Sequence, residues 1–138
     1  MALGRNAKVE LIRQVPLFAR CNRKELAELA SIADEVDLAA GRVLMREGER
    51  GREFFVLLRG SADVLRNGRK INQLGDGDFF GEIALVSRSV RTATVTTTGP
   101  SRVLVMHERA FRALLDHMPQ IQIRVLEALA DRLAPSTL

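Results

Sequence analysis

The chain has 138 residues, of which 46% are hydrophobic and 28% are charged, which suits one compact domain over 1–138 and excludes a disordered or membrane-embedded chain. The net charge of +4 divides into +1 over 1–82 (14 basic against 13 acidic) and +3 beyond (7 against 4), so no basic arm favours direct nucleic-acid binding. The N-terminus lacks the apolar stretch of a secretory signal and Cys21 has no disulfide partner, so a cytoplasmic location without membrane contact is expected.

Helical signals dominate the first 34 residues. A short helix over 7–14 is predicted, ended by Pro16, and the apolar segment around Pro16 is expected to pack against the rest of the chain. Asn22 followed by Glu25 forms a capping-box pattern that predicts the start of a second helix. Its apolar stripe at helical spacing consists of Leu26, Leu29, Ala30 and Ala33.

Short β-type runs separated by glycines fill residues 35–107, a texture typical of sandwiches, rolls and barrels. The Asn67-Gly68 pair predicts a type I′ hairpin turn, because both residues tolerate a positive φ. The candidate strands are 35–38, 42–46, 53–58, 62–66, 70–74, 91–97 and 102–107.

Helical periodicity returns over 108–134 and predicts two helices. The first carries Phe111, Leu114, Leu115 and Met118 on one face. Pro119 suits the first turn of the second helix, which is predicted to end at Pro135. Its apolar residues, four apart, are Ile121, Val125, Leu129 and Leu133.

Catalytic signatures are missing from the sequence. His107 and His117 are the two histidines, too few for a histidine-rich metal site on a jelly roll, and they are interpreted as surface or packing residues. There is no nucleophile elbow, Walker loop or dinucleotide fingerprint. Neither catalytic residues nor a metal or cofactor are expected.

The chemistry-bearing segment runs from Leu74 to Val95. Glycines at 75, 77 and 81 permit close backbone approach, and a helical turn over 82–86 would present free N–H groups to an anion such as phosphate. Arg91 could return a guanidinium to the same place. Glu82 accepts hydrogen bonds only, so its natural partner is a hydroxyl such as a ribose 2′-OH, and phosphate with ribose suggests a nucleotide. The alternative is a surface ion pair between Glu82 and Arg91 without a ligand.

This segment resembles the phosphate-binding cassette of the cyclic-nucleotide-binding domain. The resemblance lies in Phe-Gly-Glu-Ile-Ala-Leu, followed after five residues by Arg-Thr-Ala-Thr-Val. That family includes catabolite activator proteins, protein kinase A regulatory subunits and cyclic-nucleotide-gated channels. The resemblance implies an α+β fold, an eight-stranded antiparallel jelly-roll-like β-roll flanked by N-terminal helices and two C-terminal helices. It also implies a ligand, cAMP or cGMP, with cAMP favoured, and no catalysis.

The resemblance also implies roles for individual residues. Glu82 would accept from the ribose 2′-OH, Gly81 would contribute close backbone contact, and Arg91 would neutralise the cyclic phosphate. Thr92 would lie beside the phosphate and the purine. Further N–H groups toward the phosphate would come from Ile83, Ala84 and Leu85.

In the family the final helix closes as a lid over the base. Arg132, stacking its guanidinium on the purine, is the first choice for the capping residue, with Leu129 or Leu133 as the aliphatic option. The alternative for Arg132 is a solvated charge at the helix end, favoured by the helix dipole.

The resulting hypothesis is a cytoplasmic cyclic-nucleotide sensor whose lid helix regulates an unknown effector or a fused domain. A homodimer through the terminal helices is one expected arrangement. The alternatives are a sensory fragment of a catabolite-activator-type transcription regulator or of a gated channel, and a ligand-free interaction module.

Overall fold

The computed structural model describes residues 4–133. Its helices are α1 (Arg5–Arg13), a 3₁₀ turn (Pro16–Phe18), α2 (Arg23–Ile32), α3 (Glu82–Ser87), α4 (Glu108–His117) and α5 (Pro119–Leu133). Among the described residues, no helix is long and apolar enough to cross a membrane. Residue 134 and Pro135, predicted to end the last helix, lie outside the described residues.

Eight strands form two four-stranded antiparallel sheets. They are β1 (Asp34–Leu38), β2 (Val43–Met45), β3 (Glu53–Arg59), β4 (Ala62–Arg66), β5 (Arg69–Leu74), β6 (Phe79–Phe80), β7 (Thr94–Thr97) and β8 (Ser101–His107). One sheet has the order β1-β8-β3-β6 and the other β2-β7-β4-β5. The predicted eight-stranded antiparallel roll between N-terminal helices and two C-terminal helices is therefore confirmed.

Strand β3 belongs to two cores because successive side chains of a strand point to opposite faces. Phe54, Val56 and Leu58 pack with the helices in one apolar cluster, whereas Phe55 and Leu57 pack between the two sheets. Burial on both faces explains why this strand reads as a continuous apolar run.

The local signals of the sequence are confirmed. Asn22 accepts from the N–H of Glu25 while the Glu25 carboxylate accepts from the N–H of Asn22, which completes the capping box. Asn67 and Gly68 have φ of 53° and 76°, in the hairpin between β4 and β5. The apolar segment at the 3₁₀ turn is buried, with Phe18 at 0% exposure.

Two strand predictions differ from the structure. The two-residue strand β6, which pairs with Phe55 and Val56, was not predicted, because two residues are too few to show alternation. The predicted strand 91–97 is observed as β7, which starts at Thr94. The preceding residues pair with a loop instead, since the Arg91 N–H donates to Glu49 and the Gly48 N–H donates to Arg91.

Truncation of the β3 core should destabilise the fold. Phe54 is fully buried and stacks on Phe111 with ring centroids 4.4 Å apart. We expect Phe54→Ala to lower the free energy of unfolding by about 3–5 kcal/mol, because it leaves a cavity. Ile32→Ala, at a side chain 39% exposed, is the control and should cost less than about 1 kcal/mol. Urea denaturation measures both, and equal losses would contradict the assignment of Phe54 to the core.

Candidate functional site

A cavity of about 470 Å³ lies between the second sheet, the loop around β6 and α5. It gathers most of the residues that the sequence singled out, although they come from separate parts of the fold. From the cassette these are Gly81, Glu82, Ile83, Ala84, Arg91 and Thr92, and from α5 Arg132.

Gly81 begins α3 in a conformation that favours glycine. Its φ is +93°, and a Cβ there would lie 3.0 Å from the Glu53 carbonyl oxygen and 3.1 Å from Nη1 of Arg91. A side chain at this position would therefore be strained and would crowd the guanidinium. Glycine here lets the start of α3 approach the Glu53 carbonyl at the start of β3.

Arg91 is a buried cation, 2% exposed, held by backbone rather than by a carboxylate. Its Nη1 donates to the carbonyl of Gly81 at 2.9 Å, and its Nη2 donates to the carbonyl of Glu53 at 2.7 Å. Burial lowers the pKa of the Arg91 guanidinium, and the charges of Glu53 and Glu82 oppose that shift. The group stays charged, since arginine does not deprotonate in proteins.

Two neighbours fix the plane of the Arg91 guanidinium. Its Cζ lies 5.7 Å from the ring centroid of Phe55, which itself stacks on Phe80 at 4.9 Å. Gly51 packs on the guanidinium so closely that a Cβ there would overlap it. Sequence reasoning did not identify Gly51, because its contact is with a residue forty positions away.

Glu82 is fully buried at the start of α3. Its Oε1 accepts from Nη1 of Arg132, and the same guanidinium donates from Nη2 to the carbonyl of Phe79 at 2.7 Å. The Cζ of Arg132 also lies 5.2 Å from the Phe79 ring centroid. A single side chain of α5 therefore joins that helix to the cassette.

Neither alternative proposed for the charged residues is observed. No hydrogen bond or ion pair joins Glu82 to Arg91 within the described residues. Arg132 differs from a solvated helix-end charge, because it pairs with the buried Glu82 and its guanidinium lies on the Phe79 ring. It lines the cavity, and its role as the residue that caps a base stays a prediction.

Three of the predicted residues do not line the cavity. The side chain of Leu85 is 2% exposed in the helical core, so only its backbone could serve a ligand there. Leu129 also belongs to that core, because it continues the buried stripe of Ile121 and Val125. Leu133 is 58% exposed and does not line the cavity. The aliphatic lid option therefore has no support from the positions of Leu129 and Leu133.

Sequence reasoning did not identify the wall of the cavity that the second sheet contributes. The β4–β5 hairpin and its surroundings add apolar and polar side chains to the cavity: Met45, Val64, Arg66, Ile71, Asn72, Leu74, Ala93 and Val95. Alternation along β4 was the available signal, since Val64 and Arg66 lie on one face. Arg66 also donates from Nε to the carbonyl of Thr92 at 3.0 Å, which ties the hairpin to the cassette.

Two polar atoms of the site lack partners. Oε2 of Glu82 and Nε of Arg91 are buried and form no hydrogen bond with the part of the chain that the structure describes. Buried polar atoms are normally satisfied, so Oε2 is an acceptor without a donor, whereas Nε lies against Gly51. No cluster of His, Cys, Asp and Glu suited to a metal ion occurs in the part of the chain that the structure describes.

Comparison with known proteins gives a consistent result. The family model described as "Cyclic nucleotide-binding domain" matches residues 35–118. A cAMP-dependent protein kinase regulatory subunit of Mycosarcoma maydis is 35% identical over 77% of this chain and 22% of that protein. A cyclic nucleotide-gated potassium channel of Mesorhizobium japonicum is 34% identical over 81% of this chain and 31% of that protein. The chain thus spans less than a third of either relative.

Solved structures agree in fold. The structure described as "Sp-2Cl-cAMPS bound to PKAR CBD2" superposes with a TM-score of 0.80 and 25% identity, over 92% of this chain and 87% of that one. The Thermus thermophilus catabolite activator protein gives a TM-score of 0.76 and 24% identity, over 86% and 58% of the two chains. With the family model covering most of the roll, both charged cassette residues and α4, the chain belongs to the cyclic nucleotide-binding domain family.

Proposed function

We propose that this chain is a non-catalytic cyclic-nucleotide sensor, with cAMP favoured over cGMP. The observation that carries the proposal is a buried arginine without a carboxylate partner in the same cavity as a buried glutamate with one free oxygen. A cyclic nucleotide supplies both missing groups, because it has a monoanionic phosphate and a ribose 2′-OH. A mononucleotide-sized ligand also suits a cavity of about 470 Å³.

The phosphate would bind at Arg91. A guanidinium has five N–H groups, and the two bonds to carbonyls leave three for a ligand. The first N–H groups of a helix have no partner within it, so the backbone of Ile83, Ala84 and Leu85 adds donors at the start of α3. The absence of a side chain at Gly81 lets the phosphate approach that backbone.

The ribose would bind at Glu82. Its Oε1 is already taken by Arg132, whereas Oε2 is free to accept from the 2′-OH. Both bonds can therefore exist together, so a bound nucleotide and a docked α5 do not compete for the carboxylate. A hydrogen bond to a buried ionised acceptor is stronger than one between neutral groups.

The purine would lie against the second sheet. Val64, Ile71 and Leu74 supply an apolar wall for a base, and Thr92 of the cassette lines the same cavity. The Thr92 hydroxyl could bond to a guanine amino group if the base is syn, so this position alone discriminates weakly between cAMP and cGMP.

Helix α5 would be the moving part. A ligand drives closure only by the difference between its affinities for the open and closed states, and the Arg132–Glu82 pair exists only while α5 is docked. The output would reach an effector or a fused domain in the cytoplasm. Ile123, Leu126 and Leu133 are exposed on α5 and would be available to a second copy of the chain. A homodimer through the terminal helices stays a prediction.

Calorimetric titration with cAMP and cGMP tests the proposal. We expect Arg91→Ala to weaken cAMP binding by about 2–5 kcal/mol, because the phosphate charge loses its fixed counterion. Arg91→Lys keeps the charge but not the fork and should retain part of the affinity. The exposed Arg69→Ala is the control. No heat and no thermal shift with either nucleotide in the folded wild-type protein would instead favour a ligand-free interaction module.

Replacement of Glu82 should act on the sugar. Glu82→Gln is expected to weaken cAMP binding by about 1–3 kcal/mol and to remove most of the preference for cAMP over its 2′-deoxy analogue, because the ionised acceptor is lost. Parallel titrations of the two nucleotides measure the preference. Thr92→Ala, in the same cavity but away from the ribose, should keep it. An unchanged ratio in the Glu82 variant would refute the sugar contact.

Loss of Arg132 should uncouple α5 from the ligand. In the wild-type protein we expect cAMP to slow amide exchange in α5, and Arg132→Gln should remove most of that slowing because the link to Glu82 is broken. Hydrogen exchange with and without cAMP reads the effect residue by residue. Arg124→Gln, on the same helix and without a link to the cassette, is the matched control, and equal behaviour of the two variants would contradict the lid role.

A further inference from the structure

A second cavity, of about 270 Å³, adjoins the cassette and has no part in the proposed nucleotide site. It shares Ala84 with the first cavity, and its wall includes Gly51, the residue that packs on the guanidinium of Arg91. The remaining lining is almost entirely polar and charged, so an apolar ligand has no surface to bury there.

Arginine dominates the lining of this second cavity. Arg50, Arg52, Arg88 and Arg112 are opposed by a single acid, Glu108, which makes a local charge of +3 (four minus one) against +4 for the entire chain. Arg112 is committed to the protein, since it donates to the carbonyl of Leu85 and lies 3.6 Å from Glu108. Among residues 4–133, no side chain forms a hydrogen bond or ion pair with the other three guanidinium groups.

The backbone around the cavity is fixed without a ligand. The N–H of Glu108 donates to the carbonyl of Arg52 at 2.6 Å, which joins the start of α4 to the loop before β3. The N–H of Ser89 donates to Ala84 at 3.1 Å, and Arg88 adopts a left-handed conformation with φ of 55° at the end of α3. Arg52 and Arg88 therefore extend from segments whose backbones are hydrogen-bonded within the chain, and Arg50 lies beside them in the loop before β3.

Like charges gathered around a concave surface repel one another, and a bound anion relieves that repulsion. Guanidinium forks match the oxygens of phosphate in pairs, and several forks suit an anion with several charges. We propose that this cavity is a second anion site, for linked phosphates such as pyrophosphate or triphosphate. An acidic peptide would need an extended groove, whereas this surface cavity is compact, at about 270 Å³.

Calorimetry with pyrophosphate and tripolyphosphate tests the site, first on the protein without nucleotide and then on protein saturated with cAMP, which blocks the first cavity. The variant R50Q/R52Q/R88Q should lose at least about thirtyfold in affinity, since three charge-assisted contacts are removed. R20Q/R42Q/R69Q alters three exposed arginines elsewhere, has the same net charge of +1 (+4 minus 3), and should stay within about threefold of wild type.

The outcomes separate this proposal from the nucleotide site. No binding of either anion, or an equal loss in the two triple variants, overturns it, and equal affinity for citrate overturns the assignment to phosphate. Binding of ATP as well as tripolyphosphate identifies a nucleotide phosphate tail as an acceptable source, and binding of tripolyphosphate alone identifies a free polyphosphate. If cAMP does not bind, the proposed function fails, but the comparison of the two triple variants still tests the second anion site. Circular dichroism and the single variants R50Q, R52Q and R88Q guard against loss of folding.

Discussion

The burial of the Arg91 charge is the constraint around which the site is organised. A buried cation normally requires a carboxylate partner, because desolvation is costly. Here two backbone carbonyls, one from the start of β3 and one from the residue before α3, take that place. Three segments distant in sequence are thereby fixed at one point. The remaining charge is available in a cavity, which is the electrostatic condition for binding a phosphate.

Glu82 connects this anion site to the helix that would report on it. One carboxylate oxygen holds α5 through Arg132, and the other is left free in the cavity. Because both oxygens belong to one fully buried carboxylate, a hydroxyl bound at Oε2 would be energetically coupled to the Arg132 pair at Oε1. One oxygen of this carboxylate thus docks α5, and the other has no partner among the described residues. Under the proposed function, a ligand at the second oxygen would act directly on the residue that docks the helix.

The sequence predicted what depends on neighbours in the chain. The Asn22–Glu25 cap and the Asn67-Gly68 turn are local, and both are observed. The anchoring of Arg91 by Glu53 depends on a contact across 38 residues, which no local pattern encodes. Arg132 was placed at the cavity by its position on the last helix, yet its partner was not predicted. For Leu129 the local pattern was the better guide: its spacing of four from Val125 already indicated the buried stripe, and the lid role suggested for it has no support from its position.

The two cavities differ in how they hold positive charge. In the first, a single guanidinium is buried and fixed, so selectivity comes from geometry. In the second, several guanidinium groups lie at the surface, where attraction is less directional and is screened by salt. Ala84 lines both cavities, and Gly51 in the second packs on the guanidinium of the first, so anions bound in both would repel each other. Each would weaken the other by the same factor, because coupling between binding sites is reciprocal. An anion bound in one cavity would therefore lower the affinity of the other cavity for its own anion.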